Sequence, residues 1–150
     1  LGVWMSNIHL LGGQEMIQEA SATVKKSNSD MILVGVTILT SLNENNLVEL
    51  GFNSSAEEIA IKLAKLGKQN GVDGVVCSIE DISGIKASLG GDFLSVTPGV
   101  RMSQDNDDQK RSGSIYNAIQ FGTDFVVVGR EITQAKNPEG VLKKIESLIV

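Results

Sequence analysis

A parallel α/β fold is what this sequence predicts, and two observations predict it. Strand-like apolar runs alternate with helix-period segments five times along 150 residues. One of these runs, Met31 to Leu39, is a β-branched apolar stretch, the mark of a strand buried on both faces. Short connections, several closed by glycine, complete the rhythm. It fits a small doubly wound sheet or part of a (β/α)8 barrel, and alternation alone leaves that choice open.

The elements follow in order. Gly2 to His9 reads as a first strand, ended by Gly12-Gly13. Gln14 to Lys26 carries Met16, Ile17, Ala20 and Val24 at helical spacing. Met31 to Leu39 is a β-branched apolar run, read as a fully buried strand and ended by Thr40-Ser41; a polar segment then runs to Ser54. Ser55 and Glu58 form a capping box, and the helix continues to about Asn70, with Ile59, Ala60, Leu63, Ala64 and Leu66 inward and Gly71 as its stop. Gly74 to Ser78 is a third strand, and Glu80 to Leu89 a helix stopped by Gly90-Gly91. Phe93 to Thr97 is a fourth strand, and residues 101–111 are a polar loop. A helix then reaches Phe121, with Gly122 as its stop, and Phe125 to Val128 is the fifth strand. Asn137-Pro138 opens the last helix as N-cap and first residue, with Val141, Leu142, Ile145, Leu148 and Ile149 as its apolar face. Nothing divides the chain, so residues 1–150 are expected to be one domain.

Composition narrows the function. With 41% hydrophobic and 21% charged residues the chain reads as an ordinary soluble protein. A net charge of −5 argues against a nucleic-acid partner. No uncharged run approaches the roughly 18 residues of a membrane span. Cys77, the one cysteine, cannot form an internal disulfide and is expected to be a small buried strand residue, which fits a cytoplasmic protein. No GxGxxG, P-loop or CxxC occurs, so dinucleotide, nucleoside-triphosphate and zinc readings have no support. The chain opens on Leu1 rather than Met, and its first residues already read as the inside of a unit, so preceding sequence is expected.

Candidate chemistry gathers just beyond the later strands. Gly129-Arg130 follows the third valine of Val126-Val127-Val128, and Thr97-Pro98-Gly99-Val100-Arg101 ends the strand before it. Glycine lets backbone N–H groups approach a phosphate, and arginine adds a bidentate fork. Loops after the last two strands of a barrel commonly bind phosphate. Each pair, taken alone, reads equally as a turn with a solvated arginine. Gln109 stands near Asp105, Asp107 and Asp108 and can donate its amide to a phosphate oxygen. The three aspartates match no calcium loop, so no metal is expected. Thr37 and Thr40-Ser41 can bond a ligand's polar edge or simply close a turn. His9 can serve as a general base, although a structural histidine bonded to a neighbouring strand is the preferred reading. No serine or cysteine has an identifiable His/Asp set, so a hydrolytic triad is unsupported.

Together these motifs resemble orotidine 5′-phosphate decarboxylase of the bacterial type, nearly end to end. Gly2-Val3-Trp4-Met5-Ser6-Asn7-Ile8-His9 with Gly12-Gly13 is similar to that family's fourth strand and turn, and Gly35-Val36-Thr37-Ile38-Leu39-Thr40-Ser41 to its fifth. Asp73-Gly74-Val75-Val76-Cys77-Ser78 resembles the sixth, and Val96 to Arg101 with Asp108-Gln109-Lys110-Arg111 the seventh. Val128-Gly129-Arg130 followed by Ile132-Thr133-Gln134-Ala135 resembles the eighth. The resemblance implies strands four to eight of a (β/α)8 barrel that converts orotidine 5′-monophosphate to uridine 5′-monophosphate and CO2. It implies a nucleotide substrate, no metal or organic cofactor, and a homodimer when complete. Thr40 would contact the pyrimidine edge, and Arg101, Gln109, Gly129 and Arg130 would hold the 5′-phosphate. The family's Asp-x-Lys-x-x-Asp motif, whose lysine protonates the carbanion, does not occur here, so no catalytic residue is assigned. Met102 and Glu131 stand where the family usually has proline, and Glu131 adds negative charge beside the phosphate site. A related phosphosugar-barrel decarboxylase and an inert phosphate-binding remnant are the alternatives.

Overall fold

The computed structural model describes residues 2–27, 30–102 and 113–149. Its strands are β1 (Met5–His9), β2 (Ile32–Val36), β3 (Gly74–Val76), β4 (Leu94–Pro98) and β5 (Phe125–Val127). Its helices are α1 (Gln14–Lys26), α2 (Glu44–Glu49), α3 (Ala56–Gln69), α4 (Ile79–Leu89), α5 (Ile115–Gln120), α6 (Arg130–Thr133) and α7 (Pro138–Ile149). A 3-10 turn, Leu10–Gly12, joins β1 to α1.

Strand order decides between the two folds that alternation left open. The strands lie β1-β2-β3-β4-β5, each parallel to the next. A doubly wound sheet reverses its order at a switch point. This one never reverses, so every crossover steps the same way, as in a barrel wall. Curvature agrees. The Trp4 ring, just before β1, meets the Phe125 ring of β5 edge-on, with centroids 5.3 Å apart and planes at 75°. In a flat sheet the outer strands would stand four spacings apart, roughly 19 Å. The sheet therefore curls, bringing its two edge strands toward each other at their amino ends.

The main core fills the space between this sheet and its helices. Leu10, Ile17, Val75, Ile82, Ile85, Ile115 and Ala118 are fully or almost fully enclosed. α1 has the bounds its periodicity predicts, but Met16 is exposed. A Cβ built on Gly12 would lie 2.0 Å from Met16 Cε, so this methionine lies over the turn rather than in the core. α3 begins at the expected capping box: Ser55 Oγ accepts from Glu58 N at 3.2 Å and Glu58 accepts from Ser55 N at 3.3 Å. Asn70 caps its end, and Gly71 follows at φ +90°, the left-handed value such a stop requires.

Three expectations need correction. The second strand is shorter than Met31–Leu39: β2 ends at Val36, where its register with β3 also ends (Val36↔Val76), and Leu39 is exposed. The polar stretch before Ser54 contains α2, capped reciprocally by Asn43 and Asn46. Leu47 of α2 packs with Ile38, Ala56 and Ile59 as a second small core. In α7 only Ile145 is buried, whereas Leu142, Leu148 and Ile149 are exposed.

Two aspartates repeat one device at the amino end of the sheet. Asp73, just before β3, accepts Leu33 N–H of β2 at 2.8 Å. Asp124, just before β5, accepts Ser95 N–H of β4 at 2.7 Å, the Ser95 hydroxyl at 2.9 Å and Lys86 Nζ at 2.7 Å. Burial alone would raise the Asp124 pKa, but the bonds from Lys86 and Ser95 outweigh it and hold the carboxyl below its ordinary range. A depressed folded-state pKa contributes stability that is complete above about pH 4 and lost as pH falls through the lowered value. Asp124→Asn is therefore expected to destabilise the fold at pH 7, by no more than about 1 kcal/mol because solvent screens this exposed carboxylate. In urea unfolding the gap between parent and variant should narrow below pH 4; an equal gap at pH 2 and pH 7 would refute this.

Candidate functional site

The candidate residues stand on connections leaving the carboxyl ends of the strands. After β4, Gly99 turns the chain at φ +76°, Val100 is buried and Arg101 is half-buried. Arg101 pairs with Ser114 in an isolated parallel bridge. Its N–H donates to Gly113 O at 3.1 Å, and its carbonyl accepts from Ile115 N at 2.8 Å. Ser114 in turn caps α5 by accepting from Asn117 N at 3.1 Å. The backbone carrying Arg101 is thus fixed at the start of a helix.

After β5, Gly129 precedes the single turn of α6 and Arg130 is its first residue. The Gly129 carbonyl accepts from Ile132 N at 3.0 Å and Thr133 N at 3.1 Å. Among the described residues, a Cβ built on Gly129 meets nothing within 4 Å. Arg130 is exposed.

The two arginine-bearing connections touch. Met102 N–H points at both carboxylate oxygens of Glu131, 3.3 Å from Oε1 and 3.1 Å from Oε2. The sequence marks both residues as departures from the family pattern but offers no means of pairing them. Thr40 stands apart from this pair, half-buried in the turn after β2. Gln109, Asp105, Asp107 and Asp108 lie outside the described residues.

Other candidates are structural. The Thr37 hydroxyl is buried and donates to Val76 O at 2.9 Å, joining β2 to the end of β3. Thr97 is buried and shares a 2.6 Å hydrogen bond with Thr123. Cys77 is buried as expected; burial, with a smaller push from Asp81, raises its pKa to about 12. Burial and a raised pKa both fit a structural thiol. Ser78 and Asp81, both buried, cap α4, with Ser78 Oγ donating to Asp81 Oδ2 at 2.7 Å. His9 is exposed and its side chain makes no hydrogen bond among the described residues, so it does not bond a neighbouring strand as expected. A cavity of about 230 Å³, lined by Ser21, Lys25, Asp30, Leu33 and Asp73 among others, opens at the amino ends of β2 and β3, the end opposite the arginines. Among the described residues no group of His, Cys, Asp and Glu could hold a metal ion, and no helix is long and apolar enough to cross a membrane.

A curled parallel sheet with helical crossovers, and with its polar groups on the connections after β4 and β5, defines the class: a (β/α)8-type barrel wall. Comparison with known proteins gives the family. The model of the orotidine 5′-phosphate decarboxylase / HUMPS family matches residues 1–145, and the chain belongs to that family. It is 41% identical over 147 residues to an orotidine 5′-phosphate decarboxylase of Neisseria meningitidis serogroup A, covering 97% of this chain and 60% of the relative. It is 43% identical over 150 residues to one from Hydrogenovibrio crunogenus, covering 99% and 64%. The crystal structure of the Lactobacillus acidophilus orotidine 5′-phosphate decarboxylase superposes with a TM-score of 0.84 at 32% identity, over 98% of this chain and 63% of that one. The chain thus spans about three fifths of the length of the curated relatives it matches. Its five strands form a partial (β/α)8 barrel, as expected for strands four to eight.

Proposed function

We propose that this chain is one barrel segment, residues 1–150, of an enzyme that decarboxylates orotidine 5′-monophosphate to uridine 5′-monophosphate and CO2. In this reading Arg101, Gln109, Gly129 and Arg130 hold the 5′-phosphate and Thr40 meets the pyrimidine edge. The observation that carries it is the contact between the connections after β4 and β5 in a chain of this family, which holds the two arginine-bearing backbones side by side.

The chemistry divides accordingly. No Asp-x-Lys-x-x-Asp occurs among these 150 residues, so in this reading the group that protonates the carbanion is supplied from outside them. What this chain supplies is grip. Each arginine presents a charged fork to a phosphate remote from the breaking bond. Binding energy gathered there orients the ring and lowers the barrier without touching the reacting carbon. No residue of the segment is needed to carry a metal or an organic cofactor. The working enzyme is a cytoplasmic homodimer in this reading, with a small nucleotide as its only ligand class.

Calorimetric titration of the full-length protein with uridine 5′-monophosphate and with uridine tests the phosphate assignment. The nucleotide is expected to bind at least about 100-fold more tightly, since two charged hydrogen-bonding forks are worth roughly 3 kcal/mol or more. Equal affinity for the two would remove the phosphate site.

A further inference from the structure

Each partner in the contact between the β4 and β5 connections is the immediate neighbour of an arginine. Met102 follows Arg101, and Glu131 follows Arg130. The Met102 N–H reaches a charged acceptor at 3.1 Å, a stronger bond than one to a neutral carbonyl. Arg101 is held by its bridge to Ser114, so a tie at residue 102 acts on a backbone that is already fixed. Arg130 is the first residue of α6 and Glu131 the second, so the same tie acts on that turn. By charge alone a carboxylate here weakens an anion site. By geometry it does the reverse, because two cations that share one ligand bind it better when their spacing is set beforehand.

We infer that Glu131 is a positioning residue: through the Met102 N–H it fixes the spacing of Arg101 and Arg130 and so sets the affinity for a phosphate monoester. This rests on the phosphate reading proposed above. Glu131 touches no ligand in this account. It acts only through the backbone of the facing connection, by an oxygen acceptor that a carboxamide can also supply.

The test uses the full-length protein, uridine 5′-monophosphate as ligand and Arg130→Ala as reference. Glu131→Ala, which deletes the acceptor, is expected to raise the nucleotide Kd about tenfold. Glu131→Gln keeps a carbonyl acceptor and sheds the repulsion, so its Kd should stay within about threefold of the parent. Met102→Pro deletes the donor. It should cost about tenfold in the parent and nothing further in Glu131→Ala, the non-additivity of a shared contact. Parental affinity of Glu131→Ala beside a weakened Arg130→Ala would overturn the inference. Equal losses in Glu131→Ala and Glu131→Gln would overturn it too, as would additive losses in the double variant. If Glu131→Ala does not fold, Met102→Pro and Glu131→Gln decide: a weakened proline variant beside an intact glutamine variant supports the tie, and any other result rejects it. Parental affinity of Arg130→Ala would instead reject the phosphate reading itself.

Discussion

Arg130→Ala in the full-length protein is expected to weaken uridine 5′-monophosphate binding by about 2 kcal/mol or more, roughly 30-fold. Arg130 is exposed, so truncation opens no cavity and the loss reports the ligand contact. A guanidinium bonded to a phosphate supplies up to two parallel charged hydrogen bonds, and its removal leaves the phosphate short of a partner. Arg101 makes a less direct probe, because its backbone also holds Gly113 and Ile115. The rival reading is a solvated surface arginine, whose removal costs within about 0.5 kcal/mol. The two differ by more than tenfold in Kd, well within the reach of calorimetry. Unchanged affinity would reject the assignment of Arg130.

Leu10→Ala is expected to destabilise the fold by about 3–5 kcal/mol. Leu10 is fully buried at the start of the 3-10 turn that follows β1. It fills a slot left by two glycines: a Cβ built on Gly35 of β2 would lie 2.4 Å from Leu10 Cδ2, and one on Gly67 of α3 would lie 3.0 Å from it. The side chain thus joins β1, β2 and α3 at one point. Truncation removes three carbons, about 2.4 kcal/mol of transfer energy. A cavity term adds to this, because the strand and helix backbones cannot close the gap. For a chain of this size the loss corresponds to a fall of roughly 10–15 °C in Tm. Val48→Ala is the control: Val48 is 67% exposed, and its truncation should change stability by less than about 0.5 kcal/mol. Similar shifts in the two variants would mean that Leu10 does not occupy the slot described.

Much of this architecture is legible in the sequence because it is written in local terms. The periodicity of α1, the Ser55–Glu58 capping box and the left-handed Gly71 each have one physical solution, and the structure adopts it. α2 and α6 escape for the opposite reason. With six and four residues they are too short to show a period. α2 buries Leu47 while its remaining residues read as loop. The face of α7 shows a different limit: periodicity marks Leu142, Leu148 and Ile149 as apolar, but says nothing of what covers them, and they are exposed. Sheet order is likewise not local. Alternation fits a doubly wound sheet as well as a barrel, and only the pairing of β1 through β5 in sequence order separates them.

The site divides along the same line. Arg101, Gly129 and Arg130 can be proposed from the sequence because strand ends can be read, and strand ends are where such folds place ligands. Thr37 is a hydroxyl at a strand end too, yet its bond goes to Val76 on the neighbouring strand. No spacing rule distinguishes it from Thr40. Glu131 is visible in the sequence only as an unexpected charge. Its partner lies 29 residues away, a pairing that exists only once β4 and β5 are adjacent.

The measurement that bears most directly on the central claim is the decarboxylation of orotidine 5′-monophosphate, followed by absorbance. It is to be made with this chain alone and with a full-length protein that includes the remaining length found in its relatives. The account predicts turnover by the full-length protein and none by these 150 residues. Turnover by the chain alone, or its absence from both, would contradict it.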